Sequence, residues 1–207
     1  LGLNIQQLRS KTLSFLNGKS QIFLKKSAIK LTILICSKKI SNLVFLNYSP
    51  KLNKFLFWCQ QLIAESLGKR NTGLMPVVSN VPKDHHSLLQ LYLDGPKNKI
   101  FYIFSIEEKS KNKIGKIKLY NKDIKILTNK SLSEIKKAQQ KALIKSFKKN
   151  NIPFREFSIK NKNEQALGEL FSYFILETVL IGKLMKINPF DQPAVEEVKI
   201  YTRDYLN

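Results

Sequence analysis

Strand and helix signals alternate along this chain, which predicts an α/β fold with a parallel sheet covered on both faces. Two observations carry the prediction. Leu43-Val44-Phe45-Leu46-Asn47-Tyr48 and Ile100-Phe101-Tyr102-Ile103-Phe104 are short runs of branched and aromatic residues with little polar alternation, the pattern of strands buried on two sides. Between them, Phe55, Cys59, Leu62, Ile63 and Ser66 recur at i, i+4, i+7, i+8, i+11, one face of a helix. At 207 residues and 43% hydrophobic, the chain can build one large domain (1–207), and neither disorder nor a fibrous class is indicated.

Asn4 to Leu16 reads as a short helix ended near Asn17-Gly18, and Gln21 to Lys30 is mixed in pattern and continues helical. Leu31-Thr32-Ile33-Leu34-Ile35-Cys36 is expected to be a buried strand, followed by the Leu43 to Tyr48 strand. Ser49-Pro50 then opens a helix that runs through Glu65 and stops at Gly68. Leu74 to Val78 is a short strand. Asp84 is expected to N-cap a helix to Asp94, with His86 in its first turn, where the positive end of the dipole disfavours ring protonation. After the Ile100 to Phe104 strand, Glu107 to Lys130 is a lysine-rich solvated excursion, read as a ragged hairpin. Ser131-Leu132-Ser133-Glu134 has capping-box form and announces a helix to Lys149. An edge strand from Phe154 to Ile159 and helices over 164–183 and 191–205 complete the chain.

The formal charge of +21 comes almost wholly from lysines scattered through every segment, with arginine only at 9, 70, 155 and 203. Base-edge readers lean on arginine's bidentate fork, and the densest cluster, Lys109 to Lys130, lacks a regular aromatic interleave for stacking bases. Specific nucleic-acid binding is therefore a distant alternative, although the charge would steer an anionic ligand. Cys36 and Cys59 lie in apolar segments without a C-x-x-C pair, and read as buried thiols in a reducing cytoplasm. The apolar stretch 166–182 is interrupted by Glu169, Ser172 and Glu177, so a buried helix is expected there and no membrane span. Leu1 in place of methionine fits a fragment.

Three segments supply chemistry. Trp58-Cys59-Gln60-Gln61-Leu62-Ile63-Ala64-Glu65-Ser66-Leu67-Gly68-Lys69 puts a carboxylate one helical turn after an amide, so that the acid can take a proton from a substrate the amide holds. By spacing alone this is an ordinary solvated face. The segment, however, resembles the one that carries the catalytic glutamate in the glucose-6-phosphate isomerase (phosphoglucose isomerase) family. Asp84-His85-His86-Ser87-Leu88-Leu89-Gln90 through Gly95 resembles that family's D-x-H-S-x-x-Q segment. Phe190-Asp191-Gln192-Pro193-Ala194-Val195-Glu196-Glu197-Val198-Lys199 is similar to its F-D-Q-x-G/A-V-E-x-x-K signature, with alanine where glycine is frequent.

The resemblance implies a three-layer α-β-α sandwich of sugar-isomerase (SIS) type, corresponding to the C-terminal portion of a longer two-domain enzyme. It implies interconversion of glucose 6-phosphate and fructose 6-phosphate through a cis-enediol, with Glu65 as the base that shuttles the proton. His86 would exchange a proton with the anomeric hydroxyl, reaching the site from the neighbouring subunit of a homodimer, and Lys199 would donate to the ring oxygen. Gln61 and Gln192 would bind the sugar as neutral amides that both donate and accept. His85 is read as structural. No metal or organic cofactor is expected, because adjacent histidines make a poor metal site. The family's phosphate-binding Ser/Thr loop and its G-R-F/Y-S segment find no counterpart here, so little activity is expected of this chain alone. A non-catalytic sugar-phosphate sensor on the same scaffold is the nearer alternative.

Overall fold

The computed structural model describes residues 2–108, 110, 112–115 and 122–207. In order, its elements are α1 (Ile5–Arg9), a 3-10 turn (Thr12–Leu16), α2 (Gly18–Cys36), β1 (Asn42–Asn47), a 3-10 turn (Pro50–Leu52), α3 (Asn53–Leu67), β2 (Met75–Asn80), α4 (Lys83–Leu93), β3 (Lys99–Ile106), α5 (Lys122–Lys125), α6 (Leu132–Lys149), β4 (Phe154–Ile159), α7 (Glu164–Leu184) and α8 (Pro193–Leu206). The strands form one sheet in the order β2-β1-β3-β4. β3 and β4 run parallel, from Phe101 opposite Phe154 to Ile106 opposite Ile159. β4 is an edge strand, as expected. Two compact units divide the chain: 1–42 with 54–77 and 163–207, and 43–53 with 78–162.

The second unit holds most of the sheet. Val44, Leu46 and Tyr48 share a face with Phe101 and Ile103, and form one apolar cluster with Tyr92 of α4 and with Leu143 and Phe147 of α6. The Phe101 ring lies 5.1 Å from Tyr92 and 4.7 Å from Phe147. Alternate residues point the other way, and Leu43, Phe45, Tyr102 and Phe104 are all 0% exposed. Both faces are therefore covered, each buried phenylalanine contributing about 1.5–3 kcal/mol. The Ser131 capping box is present, its hydroxyl accepting from the Glu134 amide while Glu134 accepts from the Ser131 amide. Those two bonds satisfy donors that an uncapped helix start leaves bare.

The first unit is helical. Phe55 and Trp58 of α3 meet Phe171 of α7 edge-on, at 5.3 and 4.6 Å. Between α2 and α7, Ser27 Oγ donates to Glu177 Oε1 at 2.7 Å and the Tyr173 hydroxyl donates to the same oxygen at 2.9 Å, all buried. Gly168 of α7 leaves no room for a side chain, since a Cβ there would stand 1.8 Å from the Leu8 carbonyl oxygen. No helix among the described residues is long and apolar enough to cross a membrane.

Several expectations are corrected. Leu31 to Cys36 is helix, the end of α2, and the sheet has four strands among the described residues. Within that run Leu31 and Ile35 face inward while Ile33 is 61% exposed, and the buried set Leu24, Ser27, Ala28, Leu31, Ile35 has helical spacing. Packing has overridden the β-propensity of a short apolar run. The helix expected over 4–16 breaks at Ser10 into α1 and a 3-10 turn. Cys36, at the end of α2, is exposed, whereas Cys59 is buried as expected. Asp84 does not cap α4; the helix starts one residue earlier, after Pro82, and Asp84 lies in its first turn. α8 begins at Pro193, so Asp191 and Gln192 precede it. Of the 107–130 excursion, residues 109, 111 and 116–121 lie outside the described residues. What is described there includes an isolated bridge from Lys113 to Ser131.

Candidate active site

Glu65 lies in the last turn of α3, half-buried, on the side away from the apolar stripe of Phe55, Cys59 and Ile63. Gln61, one turn earlier, donates its Nε2 to Glu65 Oε1 at 3.0 Å. Gln192, just ahead of α8, donates its Nε2 to Glu65 Oε2 at 2.8 Å. Both carboxylate oxygens are thus held by neutral amides. Each oxygen keeps a further lone pair, so the carboxylate is oriented yet remains able to accept a proton. Just past Leu67, Gly68 still donates its amide to the Ala64 carbonyl, and a Cβ on Gly68 would come within 2.6 Å of that oxygen.

The same turn carries a second link to the connection between α7 and α8. Lys69 Nζ donates to the Asn188 carbonyl and pairs with Asp191 Oδ1 at 2.8 Å, its side chain only 12% exposed. Hydrogen bonding from Lys69 holds the Asp191 carboxyl below its ordinary range. Arg70 Nη1 donates to the Lys186 carbonyl at 3.3 Å. Residues 65 and 69, four apart across the end of α3, thereby grip residues 192 and 191, which are adjacent. Sequence reasoning misses the pairing of Lys69 with Asp191, although both residues stand inside the quoted segments.

Lys199 is exposed on α8 and pairs with Glu196 Oε1 at 2.6 Å. Gln192, Glu196 and Lys199 do not act as a single stripe, because Gln192 precedes the helix and turns back to Glu65.

In the other unit, His86 is exposed in the first turn of α4. Its neighbour His85 is half-buried, with Nε2 3.3 Å from the Tyr48 hydroxyl and the two rings edge-on. Burial lowers the His85 pKa and raises that of Tyr48, because a low-dielectric setting disfavours the charged form of each. Asp84 fixes the approach to α4: its Oδ2 accepts from the Asn80 amide at 2.7 Å and from Ser79 Oγ at 3.0 Å. Asn47, at the carboxyl end of β1, donates to Asn53 Oδ1 at 2.6 Å and to Asn80 Oδ1 at 3.3 Å. These polar groups gather where β1 and β2 end, the edge at which parallel sheets bind ligands.

A four-stranded sheet of this layout with helices on both sides is an α/β fold of sugar-isomerase type. No protein-family model matches the chain. It is 37% identical over 170 residues to a probable glucose-6-phosphate isomerase of Methanococcus maripaludis, covering 79% of this chain and 36% of that protein. With the glucose-6-phosphate isomerase of Methanocaldococcus jannaschii the identity is 37%, covering 75% of this chain and 38% of that one. With that of Campylobacter jejuni it is 34%, covering 83% and 44%. Among solved structures, a hypothetical protein from Thermus thermophilus superposes with a TM-score of 0.86 at 26% identity, over 99% of this chain and 51% of that one. A glucose-6-phosphate isomerase from Chlamydia trachomatis, 18% identical, shares the fold with a TM-score of 0.63, over 80% of this chain and 34% of that one. Over most of its length the chain is thus similar to glucose-6-phosphate isomerases, and it spans roughly two-fifths of the length of these curated relatives.

Proposed function

We propose that this chain is the C-terminal portion of a glucose-6-phosphate isomerase, and that it supplies the base that moves the proton between C1 and C2 of the open-chain sugar phosphate. The observation that carries this is the double amide grip on Glu65, with Gln61 on one oxygen and Gln192 on the other. Isomerisation through a cis-enediol needs one carboxylate above the carbon pair, taking the proton from one carbon and returning it to its neighbour. A carboxylate held at both oxygens keeps one orientation through both halves of that shuttle.

His86 would exchange the anomeric proton as the ring opens, entering the site from a second subunit, and Lys199 would donate to the ring oxygen. Lys199 pairs with Glu196 in the single chain, so substrate would have to draw it away. Sugar hydroxyls would be bound by Gln61 and Gln192. A preceding domain would complete the phosphate site, and the cytoplasm is the expected compartment. Replacing Glu65 with glutamine tests the reading in a coupled assay of fructose 6-phosphate formation by the complete enzyme. Turnover should fall by about 10²- to 10⁴-fold, the share a positioned base supplies, while thermal unfolding stays unchanged. Retained turnover would refute it.

A further inference from the structure

We propose that Lys69 is a positioning residue, one that sets Gln192 against Glu65 by fastening the connection between α7 and α8. The inference rests on the reading of Glu65 as the reacting carboxylate, but its structural half stands apart from that reading. Lys69 is unlike the many solvated lysines of this chain: its ammonium is nearly withdrawn from water and has two fixed acceptors, the Asn188 carbonyl and the Asp191 carboxylate. Asn188 in turn accepts from the Phe190 amide through Oδ1 at 3.0 Å, which stiffens the same turn. Asp191 is directly followed by Gln192, whose amide carries the bond to Glu65.

The need for such a fastening follows from what surrounds Gln192. It is exposed, and α8 beyond it buries no residue. Ile187 is buried and Pro189 lies close to Gly182, but among the described residues the stretch from there to α8 is exposed, and the charged link is what fastens it next to Gln192. Lys69 is the sheltered partner of this pair and holds a carbonyl as well as a carboxylate, so the link is better fixed than one between two fully solvated side chains. The position also answers to geometry. Lys69 follows Glu65 by four residues, just past the end of α3, and both side chains bond to the same connection.

The test reads the Gln192 carboxamide directly. In the protein, the side-chain amide protons of Gln192 and the backbone amides of 186–192 are followed by hydrogen exchange and NMR. They are compared in the parent, Lys69→Met, Lys69→Arg and Asp191→Asn. Lys69→Met and Asp191→Asn should each speed exchange there by about tenfold to a hundredfold, and Lys69→Arg should restore part of the protection. Asp191 is half exposed, so its replacement keeps the test open should Lys69→Met fold poorly. Unchanged Gln192 exchange in Asp191→Asn, or in a folded Lys69→Met, overturns the proposal. In the complete enzyme, the losses of kcat from Lys69→Met and Gln192→Ala should fail to multiply when combined, because one acts through the other. Losses that multiply would overturn it as well. An enzyme without isomerase turnover would count against the functional reading, while the exchange data would still decide the role of Lys69.

Discussion

Gln192 donates to Glu65 Oε2 at 2.8 Å although 127 residues separate the two in sequence. The partner is a neutral amide, and that choice has consequences for charge. A second carboxylate at this distance would force the pair to share a proton.

Gln192→Glu should therefore move the acid limb of the kcat/KM profile of the complete enzyme to higher pH. The pH–rate profile of the variant, set beside that of the parent, checks this. An unmoved acid limb would mean that residue 192 does not face the reacting carboxylate in the working enzyme.

His85 makes stability depend on pH. Its folded pKa lies below the ordinary 6.5 because burial disfavours the imidazolium. Between the folded value and 6.5 the unfolded chain binds more protons, so stability rises with pH through that window and falls as the solution is acidified below 6.5. Thermal midpoints measured from about pH 7.5 downward should decline, and His85→Phe, which keeps a ring against Tyr48, should flatten the decline.

Gly168→Ala should release α1. The added methyl would overlap the Leu8 carbonyl, and α1 buries no residue that could hold it against the displacement. Limited proteolysis within 3–16 should quicken, with little change in the global thermal midpoint.

Ser131→Ala removes the hydroxyl that accepts from the Glu134 amide, at a cost of about 1 kcal/mol. For a chain of this size that lowers the midpoint by roughly 2–4 °C, measurable by circular dichroism.

Much of the fold is written in local chemistry. The capping box at Ser131 and Glu134 marks the start of α6 to the residue, and the unalternated runs around Phe45 and Phe101 identify the two central strands. The end of α2 reads as a strand because Leu31 to Cys36 is apolar on every face, so its period is hidden until Ser27 and Glu177 show which side is inward. The site is legible unevenly. Glu65 and Gln61 share a helix, and their relation follows from a spacing of four. The bonds of Gln192 to Glu65 and of Lys69 to Asp191 join segments far apart, and no periodicity connects them. Asp84 has the look of a helix cap because aspartate before a polar turn usually is one; its carboxylate instead reaches back to the Asn80 amide.

The paired grip of residues 65 and 69 on 192 and 191 also limits how this stretch can change in length. Each residue advances a helix by about 100°, so inserting or deleting one residue between Glu65 and the end of α3 at Leu67 would swing Lys69 away from Asp191 while Glu65 stayed aligned with Gln192. Such an indel has no compensating shift along 188–192, because Asp191 and Gln192 are contiguous and cannot be respaced. Length variation at this point should thus be lethal to the arrangement, even where every side chain involved is retained.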